Sequence, residues 1–156
     1  VCSYPEYIIP CPCLQQSKGV FLHADVTLPA AGQVAVLVID DNPDALELLR
    51  RYVLGTRYQI VGVRDPEQAL SLIQDFVPKI IVVDVMLPGI DGWELLGRLR
   101  EHPLTSDVPI IVCTILMQED LAMSLGASAF LHKPITRETL LAALDQQFAF
   151  LVRSSR

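Results

Sequence analysis

The chain has 156 residues, 51% of them hydrophobic, which is enough for one domain with a real core and a short appendage. Its formal net charge of -6 argues against a nucleic-acid partner, because such modules carry a basic face that displaces counterions and no Lys/Arg stripe is present. Apolar runs such as VAVLVI and IIVV fall far short of the ~20 residues that cross a bilayer, and the N-terminus lacks the basic, apolar, small-residue order of a signal peptide, so the expectation is a soluble, cytoplasmic protein without membrane contact.

Residues 1–33 hold Pro5, Pro10, Pro12 and Pro29 and keep no helical or strand period, so they read as an N-terminal extension or linker ending at LPAAGQ. Cys2, Cys11, Cys13 and His23 supply four possible zinc ligands there. CPC is not the usual two-residue knuckle, however, and with no CxxC pair the cysteines read as reduced thiols and not as a metal or disulfide framework. From Val34 the pattern changes to short β-branched runs alternating with amphipathic stretches, the signature of a parallel sheet with crossover helices on both faces. Strands are expected over 34–39, 59–63, 80–83, 110–113 and 129–132. Asn42 caps a first helix with Pro43 at its first position; Asp65 caps a second, with Pro66 first and Gln68 reaching back. A third helix is expected over 92–101, a fourth over 118–125, and a last from Thr136 past Phe148 with Leu140, Leu141, Leu144, Phe148 and Leu151 on one face. The organisation is thus an extension (1–33), one α/β domain (34–150) and a tail (151–156).

Asp40 and Asp41 follow the first run, Asp84 follows the third, Thr114 ends the fourth and Lys133 ends the fifth. In an open α/β sheet, ligands bind outside the carboxyl ends of the strands, near the point where strand order reverses. Two unit charges ~4 Å apart repel by about 4 kcal/mol at an effective dielectric of 20, so three clustered carboxylates call for a cation or a raised pKa. Mg2+ meets that need with oxygen ligands and retained waters. A carboxylate beside Mg2+ can accept a phosphoryl group while the metal and a lysine neutralise the spreading charge, which makes Asp84 the candidate acceptor, Lys133 its point-charge partner and Thr114 a hydroxyl donor to the phosphoryl oxygens. Alone, the DD pair would be a solvated helix cap, Thr114 a strand end and Lys133 a surface charge. Their weight comes from the set.

With these residues in hand, the stretch from Val34 to Phe150 resembles the receiver domain of two-component response regulators: DD after the first strand, D-x-M-L-P-G-x-D-G after the third, Thr after the fourth and K-P after the fifth. The resemblance implies a CheY-like, flavodoxin-like doubly wound sheet of five parallel strands with five helices. It implies that Asp84 takes phosphate from a histidine kinase or phosphotransfer protein, and that Asp41, Asp84 and the backbone carbonyl of Met86 bind Mg2+, with Asp40 assisting through water. It further implies a cis Lys133–Pro134 peptide, a switch formed by Thr114 and Phe130, and a homodimer through the fourth and fifth helices. Phe130 fits ordinary core packing equally well. Such a module signals through protein contacts and is no enzyme beyond the gain and loss of phosphate at Asp84.

Two departures stand out. A small residue usually follows the switch threonine, whereas Ile115 has the bulk to shield an acyl phosphate from water, and the segment from Thr114 to Gly126 is short. They motivate an alternative, a degenerate receiver that binds partners without phosphate. A Mg2+-dependent phosphohydrolase ranks below both, because such enzymes place a second aspartate two residues after the nucleophile, and here that position is Met86. Trp93 is expected to pack or lie at the surface, and His23, His102 and His132 to take surface roles.

Overall fold

The computed structural model describes residues 32–154. Along them run β1 (Val34–Ile39), α1 (Pro43–Tyr52), β2 (Tyr58–Val63), α2 (Pro66–Asp75), β3 (Ile80–Val83), α3 (Gly92–Glu101), β4 (Ile110–Thr114), α4 (Glu119–Ser124), β5 (Ala129–His132) and α5 (Arg137–Ser154). Cys2, Cys11 and Cys13, read as reduced thiols, and His23, read as a surface residue, lie outside the described residues. The last helix continues through Ser154, so residues 151–154 are helical.

The helix starts follow from local chemistry. Asn42 accepts hydrogen bonds from the Asp44 and Ala45 amides, with Pro43 at the first position, where a missing N–H costs nothing. Asp65 caps α2 likewise but closes on the Glu67 amide, one position too early for a reciprocal box. The return bond expected from Gln68 accordingly does not form. Gly92 opens α3 at a close approach to β3's exit: a Cβ there would lie 2.2 Å from the Val85 Cα, so only glycine fits.

All five strands are parallel, in the order β2-β1-β3-β4-β5, the flavodoxin-like arrangement. Alternate residues feed two cores, as the two-residue period of a strand requires. Leu37, Ile39, Ile81, Val83 and Val112 pack under α2, α3 and α4, while Val36, Val38, Val82, Ile111 and Cys113 pack under α1 and α5. Leu140 and Leu144 of α5 are fully buried and Leu141, Phe148 and Leu151 pack at the edge of the same core, the face expected from their spacing. No helix among the described residues is long and apolar enough to cross a membrane.

Strand order reverses at β1, which has β2 on one side and β3 on the other. The residues just past β1 and β3 therefore face the crevice that this topology opens, with the end of β4 beside it and β5 next.

Candidate functional site

Asp40 and Asp84 stand at the carboxyl ends of adjacent central strands and are nearly buried, at 3% and 8% exposure. Backbone amides fix both carboxylates: Asn42 N–H donates to Asp40 Oδ1 at 2.9 Å, and Met86 N–H donates to Asp84 Oδ1 at 2.8 Å. The remaining oxygens meet one cation. Lys133 Nζ donates to Asp40 Oδ2 at 2.8 Å and to Asp84 Oδ2 at 2.6 Å. Because β5 is separated from β3 by β4, the lysine stem crosses the end of β4 to make this bridge. Burial works against the ammonium charge, but the bonds and charges of Asp40 and Asp84 outweigh it and hold Lys133 above the ordinary lysine range. The Lys133–Pro134 peptide is cis.

Thr114 ends β4 fully buried. Its hydroxyl accepts from the Leu116 amide at a long 3.4 Å, and it makes no bond to Asp84 or Lys133. Its carbonyl accepts the Lys133 N–H at 2.9 Å, so the backbone of the lysine is tied to the strand that carries the threonine. Cys113, one residue earlier, faces the other core; burial pushes its thiol up to about 12 and leaves it a non-nucleophilic core group.

Asp41 is less buried, and its carboxylate joins neither Lys133 nor the other two. Its carbonyl accepts from Arg64 Nε at 3.0 Å. Met86 is half exposed, and among the described residues nothing donates to its carbonyl. Phe130 is partly buried and packs on the α2–α3–α4 side, as does Trp93. The structure thus joins Asp40, Asp84 and Lys133 directly, and sets Thr114 beside them through the backbone. Among the described residues no three His, Cys, Asp or Glu side chains close on one point as a protein-only metal cage.

Mg2+ does not need such a cage, since it is usually held by one or two carboxylates and keeps several waters. The donor set fits that pattern. Each oxygen of Asp40 and Asp84 has one protein donor and a spare lone pair, and these two carboxylates outnumber the single ammonium they share.

Two contacts near the site were not legible in the sequence. Arg64 was unremarked, and His132, read as a surface residue, places Nε2 3.0 Å from the Ile115 carbonyl. Their positions at the ends of β2 and β5 were the available signal.

A five-stranded parallel sheet of this order, with an acidic pair and a lysine meeting at its carboxyl edge, is the architecture of a receiver-type signalling domain. The chain belongs to the response regulator receiver domain family, whose model matches residues 36–145. It is 37% identical over 118 residues to an uncharacterized 14.6 kDa protein in the sodA1 3' region of Leptolyngbya boryana, covering 73% of this chain and 89% of that protein. It is 33% identical over 112 residues to the phosphate regulon transcriptional regulatory protein PhoB of Pseudomonas aeruginosa, covering 70% of this chain and 49% of PhoB. The chain therefore spans about half the length of PhoB. Among solved structures, the receiver domain of sensor histidine kinase PA1611 from Pseudomonas aeruginosa superposes with a TM-score of 0.67 at 24% identity, over 75% of this chain and 98% of that one, and shares the fold. That structure has a magnesium ion coordinated in its active site cleft. A receiver domain is a module of two-component signalling.

Proposed function

We propose that this receiver is a working phosphoacceptor, with Asp84 taking a phosphoryl group from a phosphohistidine on a kinase or phosphotransfer protein in the cytoplasm. The observation that carries the reading is the bridge of Lys133 to Asp40 and Asp84 at the strand-order reversal. In the transfer, an Asp84 carboxylate oxygen forms the new O–P bond as the N–P bond breaks, and the imidazole nitrogen keeps the electron pair. Lys133 is already within reach of the equatorial oxygens, and its charge is held on by its carboxylate partners. Thr114 supplies a hydroxyl one strand away, and Phe130 packs on the same side of the sheet, the pair through which the phosphorylated state would be read.

Asp41, Asp84 and the Met86 carbonyl would hold Mg2+, with Asp40 assisting through water. The bound ion would neutralise charge that the ammonium alone leaves uncompensated. Output would run through α4 and α5, including a homodimer, because Leu121 and Met123 on α4 and Phe150 and Val152 on α5 present apolar surface. No direct contact with nucleic acid is part of this reading.

Incubation with radiolabelled acetyl phosphate and Mg2+ tests it. The wild-type chain should take up label and Asp84→Asn should take up none, while staying folded because Asp40 still bonds Lys133. Equal labelling of the two overturns the acceptor assignment. The exposed Ile115 and the six-residue α4 favour one second reading, a phosphate-independent binding module. An unlabelled wild-type chain that still binds Mg2+ would establish it.

A further inference from the structure

We infer that His132 is a positioning residue for this site: its ring pins the segment that follows Thr114 and so sets how long a phosphoryl group on Asp84 survives. The inference rests on the phosphoacceptor reading above. Thr114 and His132 are register partners at the ends of β4 and β5, and the last backbone bond of that ladder is Lys133 N–H to the Thr114 carbonyl at 2.9 Å. Past it the two chains part, the one toward α4 and the other into Pro134. The His132 ring adds a bond beyond the ladder, Nε2 to the Ile115 carbonyl at 3.0 Å. A carbonyl only accepts, so Nε2 carries the hydrogen.

Between Thr114 and α4 the Leu116 side chain packs on the α2–α3–α4 core, but the backbone has few other hydrogen bonds to hold it. The Leu116 amide reaches Thr114 Oγ1 at only 3.4 Å, Ile115 is 57% exposed, and Gln118 at the helix start makes no side-chain cap. Two consecutive residues, His132 and Lys133, therefore hold the two consecutive carbonyls of Thr114 and Ile115, and the second of them also holds both carboxylates. Whatever draws Lys133 toward a new charge on Asp84 moves the backbone that carries the His132 ring. With the ring in place, the backbone after Thr114 stays tied to the end of β5; without it, that backbone loosens and water reaches the acyl phosphate more readily.

Three variants separate the hydrogen bond from mere bulk. His132→Ala removes the donor, His132→Phe keeps a ring without one, and His132→Gln places an amide nitrogen the same number of bonds from Cα as Nε2. Two readouts are taken on the whole chain. The first is hydrogen exchange of the Leu116 and Met117 amides in the unphosphorylated protein by NMR. The second is the half-life of the label on Asp84 after removal of acetyl phosphate. One neutral hydrogen bond supports changes of roughly two- to tenfold, and this one is exposed. The Ala and Phe variants should therefore shorten the half-life about threefold and speed amide exchange, and Gln should restore both. Unchanged exchange and half-life in the Ala variant overturn the inference, as does a Gln variant that behaves like Ala. Absence of label in the wild-type chain defeats the phosphoacceptor reading instead, and the exchange measurement then decides the His132 tether on its own.

Discussion

Two partly buried cations of this domain, Lys133 at the carboxyl edge of the sheet and Arg100 at the opposite edge, are satisfied in opposite ways. Arg100 closes α3 onto neutral acceptors: the carbonyls of Gly126, Ser106 and Val108 and the hydroxyl of Ser128, at 2.6 to 3.1 Å. Burial lowers its pKa, yet no carboxylate bonds to it. It staples the loops before β4 and β5 together, and every partner is fixed backbone or short side chain. Lys133 instead bonds two carboxylates, whose spare lone pairs face a crevice and whose partner can change when another charge arrives. A cation among dipoles is a rivet, whereas a cation among anions is an exchangeable partner, and the proposed phosphoryl transfer calls for the second.

The contrast breaks most visibly at Lys133. Lys133→Met keeps the stem and removes the charge, so labelling by acetyl phosphate should slow by roughly 100-fold or more, the usual loss when one preorganised donor to a developing charge is deleted. It also leaves Asp40 and Asp84 facing each other without a counter-charge. The destabilisation should be about 1–3 kcal/mol, less than for a fully buried pair because Lys133 is 22% exposed. Next comes Arg100→Met, which strands three carbonyls and a hydroxyl and should cost about 2–3 kcal/mol in urea denaturation. Its labelling rate at a temperature where it stays folded should match the wild type. A labelling defect there would erase the distinction between rivet and exchangeable partner.

The sequence carried one half of this comparison and hid the other. Strand ends were legible because each strand is a β-branched run closed by a polar residue, and parallel topology gathers such ends at one edge. Asp84 and Lys133 therefore emerged as partners although 49 residues separate them. Arg100 was silent: its acceptors are mostly backbone carbonyls, which every residue has, and an arginine on an amphipathic helix looks like a solvated charge. Which member of the DD pair bonds Lys133 was also invisible. Both residues are aspartates next to a helix cap, and only the exit path of β1 makes Asp40 the buried partner of Lys133 while Asp41 leaves its carboxylate outside the bridge. His132 does lie at the surface, as read, but its bond was hidden for the same reason as those of Arg100, since its partner is the carbonyl of Ile115. The α2 cap shows the limit from another side. The D-P-E-Q order allowed a reciprocal box with Gln68, but Asp65 took the nearer Glu67 amide, a choice of backbone geometry that residue type does not encode.

The smallest expected effect sharpens the comparison by pH. Lys133 is held above the ordinary lysine range, because Asp40 and Asp84 outweigh the burial that opposes its charge. A basic group whose folded pKa exceeds its unfolded value, ~10.4 for lysine, contributes stability that is complete below that value and is lost as pH rises through the folded pKa. Tyr58 has the same sign: burial first, then its 2.6 Å hydrogen bond to Asp145, keeps the phenol protonated beyond the usual tyrosine range. Urea midpoints should therefore hold level from pH 8 to about 10 and fall above it. Lys133→Met should remove part of that alkaline fall and Tyr58→Phe another part. Arg100→Met should lower the whole curve without changing its slope, since the guanidinium remains charged throughout this range. An Arg100 variant that flattened the alkaline limb, or a Lys133 variant that left it as steep as before, would show that the charge at the carboxyl edge is not held by its two aspartates.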